Sequence, residues 1–186
     1  MKSAACWPKL AAWQAQGLVL PRVAFNMSPR SFREEGCAER VLAQLAEQGV
    51  AASQVQVEFT EGVLVDNLPV VLGNIECLHA AGVTLAVDDF GTGYSSLACL
   101  KRLPLAELKI DKRFVDGLGR EREDEAITLA IIGMAHALGL KTVAEGVETE
   151  LQRDWLLAHG CDIGQGYLFA KPLEAEAFAD LLDQRG

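Results

Sequence analysis

The chain has 186 residues, half of them hydrophobic and 23% charged, the composition of one soluble domain with a full core rather than of a disordered tail. Lys and Arg number 17 against 26 Asp and Glu, a formal charge of −9 that repels duplex nucleic acid and anionic lipid. An anionic ligand would need local neutralisation, for which divalent cations held by carboxylates are the usual device.

Five cysteines, Cys6, Cys37, Cys77, Cys99 and Cys161, are widely spread and form no C-x-x-C pair. Neither a disulfide framework nor a thiolate zinc site is expected, and the thiols suit a reducing cytoplasm. Lys2, Pro8, Lys9, Gln14 and Gln16 interrupt the first apolar positions, so no signal-peptide core is present. No run approaches the ~20 apolar residues of a membrane span, so this chain is not expected to insert into a membrane.

In chain order, short β-rich runs alternate with amphipathic helical stretches. An opening helix ends near Gly17, a strand covers 23–25, and the next helix buries Val41, Leu42 and Leu45 before stopping at Gly49. A second strand, 55–59, leads to a helix that starts near Asp66 or Asn67, tolerates Pro69 in its first turn, and buries Leu68, Leu72 and Ile75 up to Gly82. The third strand, 83–87, runs into the polar glycine- and serine-rich segment 91–96, a short helix ended by Pro104, and a fourth strand at 108–110. Ile127, Ile131, Met134 and Leu138 form the stripe of the next helix, the acidic run 121–125 being its solvated start. A fifth strand covers 142–144, Thr149 and Gln152 form a capping box for the helix closed by Gly160, and a last strand near Ile163 passes through Pro172 into a terminal helix.

Six strand-then-helix units without a low-complexity linker imply one α/β domain over 1–186, with parallel strands and crossover helices. The choice lies between a doubly wound sheet and a barrel, and a complete (β/α)₈ barrel normally takes ~250 residues.

Each strand delivers an unusual polar residue at or near its carboxyl end: Asn26, Glu58, Asp88 with Asp89, Lys109, Glu145 and Gln165. In a parallel barrel these ends share the rim on which active sites are built. Oxygen donors without neighbouring His or Cys suit Mg²⁺ or Mn²⁺, and adjacent Asp88 and Asp89 can face two different ions of a two-metal site. Lys109 can neutralise charge on a phosphoryl oxygen or hold the attacking water, and Glu145 can take a proton. Metal-assisted phosphodiester hydrolysis is the reaction class these residues fit. For some of them the spacing leaves a plainer alternative open: Gln56 and Glu58 as the outward side of an ordinary strand, Lys109 on an edge strand, Glu145 as an acid near a helix start like Glu148 and Glu150. His79, His136 and His159 lack metal-ligand spacing and read as structural, and Trp7, Trp13 and Trp155 read as packing residues.

The strings VEFTE at 57–61, VDDFGTGYSSLACLKRLP at 87–104, LKIDKRFV at 108–115, TVAEGVET at 142–149 and GQGYLFAKP at 164–172 resemble the EAL-domain cyclic di-GMP phosphodiesterases, in that family's order and spacing. The resemblance implies a TIM-type barrel that opens cyclic di-GMP to linear pGpG with Mg²⁺ or Mn²⁺, two ions in the complete site. It implies Asn26, Glu58 and Asp88 as metal ligands, Asp89 serving the second metal, Lys109 and Glu145 acting on the water, Gln165 contacting the bound site, and Glu61 anchoring the loop after the third strand. The family's namesake Glu-Ala-Leu segment supplies a further metal-binding glutamate and an arginine, and no such tripeptide precedes Asn26. The expectation is an incomplete barrel of about six units with the first two strands missing, an activity exposed to loss through that truncation, and self-association, as a homodimer or otherwise, through the open edges. The alternatives are a non-catalytic module that binds cyclic di-GMP or a protein partner, or a barrel acting on another phosphate ester.

Overall fold

The computed structural model describes residues 7–64, 68–91 and 100–183. Helix α1 (Trp7–Ala15) precedes strand β1 (Val23–Asn26), short α2 (Pro29–Phe32), α3 (Cys37–Glu47), β2 (Val55–Thr60), a 3₁₀ turn at Glu61–Leu64, α4 (Leu68–Ala80) and β3 (Thr84–Phe90). There follow β4 (Glu107–Ile110), short α5 (Lys112–Asp116), α6 (Arg122–Ala137), β5 (Lys141–Ala144), α7 (Glu150–Ala158), β6 (Ile163–Gly164) and α8 (Ala175–Asp183). The start near Asp66 or Asn67 and most of segment 91–96 lie outside the described residues.

The six strands form one sheet in sequence order, every neighbouring pair parallel. A twisted parallel sheet wound in one direction with its helices on one side curls toward a barrel, so the barrel alternative holds over the doubly wound one. The described strands make a half-barrel whose outer members are β1 and β6. Helix α8 comes from the β6 end and packs on α1 beside β1, with Trp13 and Phe178 ring centroids 5.6 Å apart.

The outward face of the sheet carries the apolar core. Val55, Val57, Phe59, Leu85, Val87, Leu108 and Ile110 meet the helices and are all buried. The opposite, concave face of β2 is not solvated as an ordinary surface strand would be: Gln56 and Glu58 are each 6% exposed because they point into the curl. Lys109 is likewise 4% exposed on β4, a strand flanked by β3 and β5, which excludes the edge-strand alternative.

One expectation needs correction. Ile127 is 39% exposed; the buried positions of α6 are Thr128, Ile131, Ile132 and Ala135, so the stripe is rotated from the one the apolar letters suggest. The rotation lets Thr128 face the core. Two further short helices, α2 and α5, occupy stretches to which the sequence pattern assigns no element, because four or five residues are too few to show a period. The Thr149–Gln152 capping box is present, with the Thr149 hydroxyl accepting from Gln152 N and Gln152 Oε1 accepting from Thr149 N. Cys37, Cys77 and Cys161 are free thiols, and no helix among the described residues is long and apolar enough to cross a membrane.

Candidate active site

Parallel strands bring their carboxyl ends to one rim, and strand register decides which side chains meet there. Asn26 pairs in register with Glu58, Glu58 with Ala86, and Lys109 with Val143. Between Val87 and Phe90 the β3 register slips, and Asp89 takes φ 52°, a left-handed conformation that costs a non-glycine residue of order 1–3 kcal/mol. The slip delivers Asp88 and Asp89 to the rim as consecutive residues, where a regular strand would send one of them outward.

The centre of the rim is the Lys109 ammonium. Its Nζ lies 2.8 Å from Glu58 Oε2, 3.1 Å from Asp88 Oδ1 and 2.5 Å from Glu145 Oε1. Burial alone would lower the Lys109 pKa, but hydrogen bonds to Glu145 and Glu58 outweigh it and raise the value, so this lysine is a fixed cation at any physiological pH. Burial raises the pKa of Glu145 despite the attraction of Lys109. Asp89 is also raised, by burial first and then by the charges of Asp88 and Asp111.

Oxygens of Asp88, Asp89 and Glu145 can all lie within 4.8 Å of one another. An all-carboxylate set without His or Cys has the chemistry of a hard divalent-cation site, so these residues fit Mg²⁺ or Mn²⁺ rather than zinc. Glu58 has an oxygen committed to Lys109 and stands outside that triplet. Asn26 is exposed at the end of β1, beside Glu58 in register. Glu145, assigned from the sequence to the water rather than to an ion, is thus the residue that joins the two aspartates.

Gln165 follows β6, its N–H donating to the Ala144 carbonyl at 2.8 Å and its carbonyl accepting from Val147 N at 3.0 Å. It lines a cleft of about 300 Å³ with Glu145, Gly146, Lys112, Glu148, Gly166 and Tyr167. The cleft opens beside the acids, where an extended ligand can lie. Glu61 Oε1 accepts the Gly91 N–H at 2.7 Å, a direct tie between the turn after β2 and the chain leaving β3.

Asp111 was not singled out from the sequence. It is 8% exposed, caps α5 by accepting from Arg113 N at 2.7 Å, and adds its charge to the field at Asp89. The signal was available: Glu107, Lys109 and Asp111 alternate along one face of β4 and its exit.

Comparison with known proteins agrees with this geometry. The EAL domain family matches residues 3–172. The chain is 40% identical over 168 residues to the bifunctional diguanylate cyclase/cyclic di-GMP phosphodiesterase MucR of Pseudomonas aeruginosa, covering 90% of this chain and 24% of MucR. It is 42% identical over 161 residues to the cyclic di-GMP phosphodiesterase NbdA of the same organism, covering 87% of this chain and 21% of NbdA. The chain therefore spans about a quarter or less of these relatives' length. Among solved structures, the PaMucR phosphodiesterase in complex with c-di-GMP superposes with a TM-score of 0.88 at 38% identity, over 94% of this chain and 71% of that one. Klebsiella pneumoniae BlrP1, solved with manganese and cy-diGMP, gives 0.79 at 29% identity over 91% of this chain and 43% of that one. With most of its length matched, its six parallel strands in the order of a TIM-type barrel and its rim acids in place, the chain belongs to the EAL domain family.

Proposed function

We propose that this domain hydrolyses cyclic di-GMP to linear pGpG in the cytoplasm, using Mg²⁺ or Mn²⁺. The observation that carries the reading is the cluster of Asp88, Asp89 and Glu145 around one possible ion position, with the buried Lys109 cation paired to two of its members, Asp88 and Glu145, and to Glu58. Its relatives MucR and NbdA are cyclic di-GMP phosphodiesterases by name, and BlrP1 was solved with manganese and this ligand.

Asp88, Asp89 and Glu145 are the residues that would hold the metal, with Asn26 and Glu58 at its β1–β2 side. A bound divalent ion there supplies Lewis-acid charge neutralisation and a more acidic water. The reaction adds water oxygen to phosphorus and breaks one P–O3′ bond, the 3′ oxygen leaving with a proton. The Glu145 carboxylate accepts the proton that the water gives up and passes it to the departing 3′ oxygen, so that no proton is left over. Lys109 keeps Glu58, Asp88 and Glu145 from spreading apart under their own repulsion and adds positive potential where phosphoryl charge grows. Gln165 and the cleft beside it orient the ligand. Self-association through the outer strands β1 and β6 would protect their edges, which light scattering tests.

The test is chromatographic detection of pGpG after incubation of the chain with cyclic di-GMP and Mg²⁺ or Mn²⁺. Product that disappears with chelator and in Glu58→Ala supports the proposal. Ligand binding without product, in a chain shown folded by circular dichroism, favours the non-catalytic binding module instead.

A further inference from the structure

Helix α4 buries the stripe Val71, Ile75 and Leu78, and Asn74 lies on the same face. An amide there is tolerable only if its polar atoms are engaged. Asn74 is 5% exposed and has partners on both sides: Oδ1 accepts from Ala38 N at 3.2 Å, and Nδ2 donates to the carbonyls of Phe32 at 2.8 Å and Glu34 at 3.0 Å. All three partners lie in the corner between α2 and α3, far away in sequence. Helix α3 begins after Gly36, which has φ 69° and no side chain with which to cap it. Asn74 supplies from α4 the acceptor that a Ser or Asp at that cap would supply locally.

The two carbonyls that Asn74 holds flank Arg33, so the bonds fix the backbone from which its guanidinium projects. Arg33 Nη2 donates to the Gly62 carbonyl at 2.9 Å. Gly62 follows Glu61, whose carboxylate accepts the Gly91 N–H at 2.7 Å. Gly91 in turn follows the register slip that presents Asp88 and Asp89. A continuous set of polar contacts thus leads from the back of α4 to the acids of the rim.

We infer that Asn74 and Arg33 act in series as positioning residues that seat the Glu61–Gly91 bond and, through it, Asp88 and Asp89; the inference rests on reading those acids as the ion site. Neither side chain touches the acids. Their effect runs through the placement of the 3₁₀ turn at Glu61–Leu64, and a purely structural role for Asn74 would stop at the α2–α3 corner.

The test reads two quantities: hydrogen-exchange protection of the Gly91 N–H, relative to global stability, and the Mn²⁺ dissociation constant by calorimetry. Asn74→Leu and Arg33→Met should each lower Gly91 protection and weaken Mn²⁺ about tenfold, and Arg33→Lys, which restores a donor, should recover most of both. Once Glu61→Gln has weakened the last link, Asn74→Leu should weaken Mn²⁺ little further, because serial contacts are not additive. Leu45→Ala, which opens the α3 core two turns beyond Ala38, should lower the melting temperature and change neither quantity. A lowered melting temperature in Asn74→Leu with Gly91 protection and Mn²⁺ affinity intact overturns the inference, as does full additivity with Glu61→Gln. Wild-type chain that binds no Mn²⁺ defeats the ion-site reading, and Gly91 exchange then decides the series by itself.

Discussion

Replacing Lys109 with methionine removes the cation that, among the described residues, holds Glu58, Asp88 and Glu145 together, while keeping most of the side-chain volume. The three carboxylates lie 2.8, 3.1 and 2.5 Å from its ammonium, and Glu58 and Asp88 are no more than 8% exposed. Removing one partner of a buried ion pair costs about 3–5 kcal/mol, because the remaining charge is neither solvated nor paired. At about 2–4 °C per kcal/mol for a domain of this size, Lys109→Met should melt roughly 6–20 °C below wild type at neutral pH. The sign of the pH dependence follows. The Lys109 pKa is raised on folding, so its contribution is complete below the unfolded value near 10.5 and is lost only above the folded one. In the variant Glu145 loses the Lys109 attraction that opposes the upward push of burial, so its pKa rises further and the deficit shrinks as pH falls and it protonates. A divalent cation replaces the missing charge. Ligand at 100 times its dissociation constant adds about 2.7 kcal/mol, and the Mn²⁺-induced rise should be larger in Lys109→Met than in wild type because the repelling ammonium is gone. Thermal unfolding followed by circular dichroism, with and without Mn²⁺, measures all of this. A variant that melts within about 2 °C of wild type, or gains no more from Mn²⁺ than wild type does, refutes the reasoning.

Further outcomes follow from other parts of the site and its support. Glu145→Gln should lower turnover about 10²–10⁴-fold while the chain stays folded and still binds cyclic di-GMP in calorimetry; unchanged turnover would remove Glu145 from proton transfer. Gly166→Ala would put a Cβ 2.2 Å from the Val147 carbonyl oxygen and 2.3 Å from its nitrogen, so the backbone beside Gln165 must shift. The expected result is KM raised at least about tenfold, with retained KM as the contrary outcome. Asp162 accepts from the Thr142 N–H and hydroxyl, both at 2.8 Å, and meets His136 Nε2 at 2.9 Å. Burial pushes its carboxyl up, but these bonds outweigh burial and hold it at about 2. Its stabilising contribution is therefore full above the unfolded value near 3.8 and lost as pH falls toward 2. With its side chain 35% exposed, the contribution is discounted to about 1 kcal/mol, so Asp162→Ala should lower denaturant stability at pH 6 and converge with wild type near pH 2.

The strands were legible because their outward faces are continuous apolar sets, as at Val55, Val57 and Phe59, and because glycines mark the helix ends. The rim residues were legible as a set, since each strand end carried at least one polar side chain. What spacing alone left open was orientation: Gln56 and Glu58 fit a solvent-facing alternation as well as a concave barrel face, and only the curl of the sheet separates the two. Ile127 misled because an apolar residue near a helix start was read as core, whereas Thr128 turns inward. Asn74 had a readable signal, an amide on the stripe of Val71, Ile75 and Leu78, but its partners at Phe32, Glu34 and Ala38 are set by tertiary packing that no local pattern encodes. The left-handed Asp89 was equally invisible, because nothing in the letters Asp88-Asp89 announces a register slip.

The most direct measurement is hydrolysis of cyclic di-GMP in heavy-oxygen water with Mn²⁺, the products separated by chromatography and weighed by mass spectrometry. The account predicts linear pGpG carrying one heavy oxygen on its new terminal phosphate, suppressed by chelator and in Glu145→Gln. Folded chain that binds cyclic di-GMP and Mn²⁺ yet forms no labelled product would contradict it.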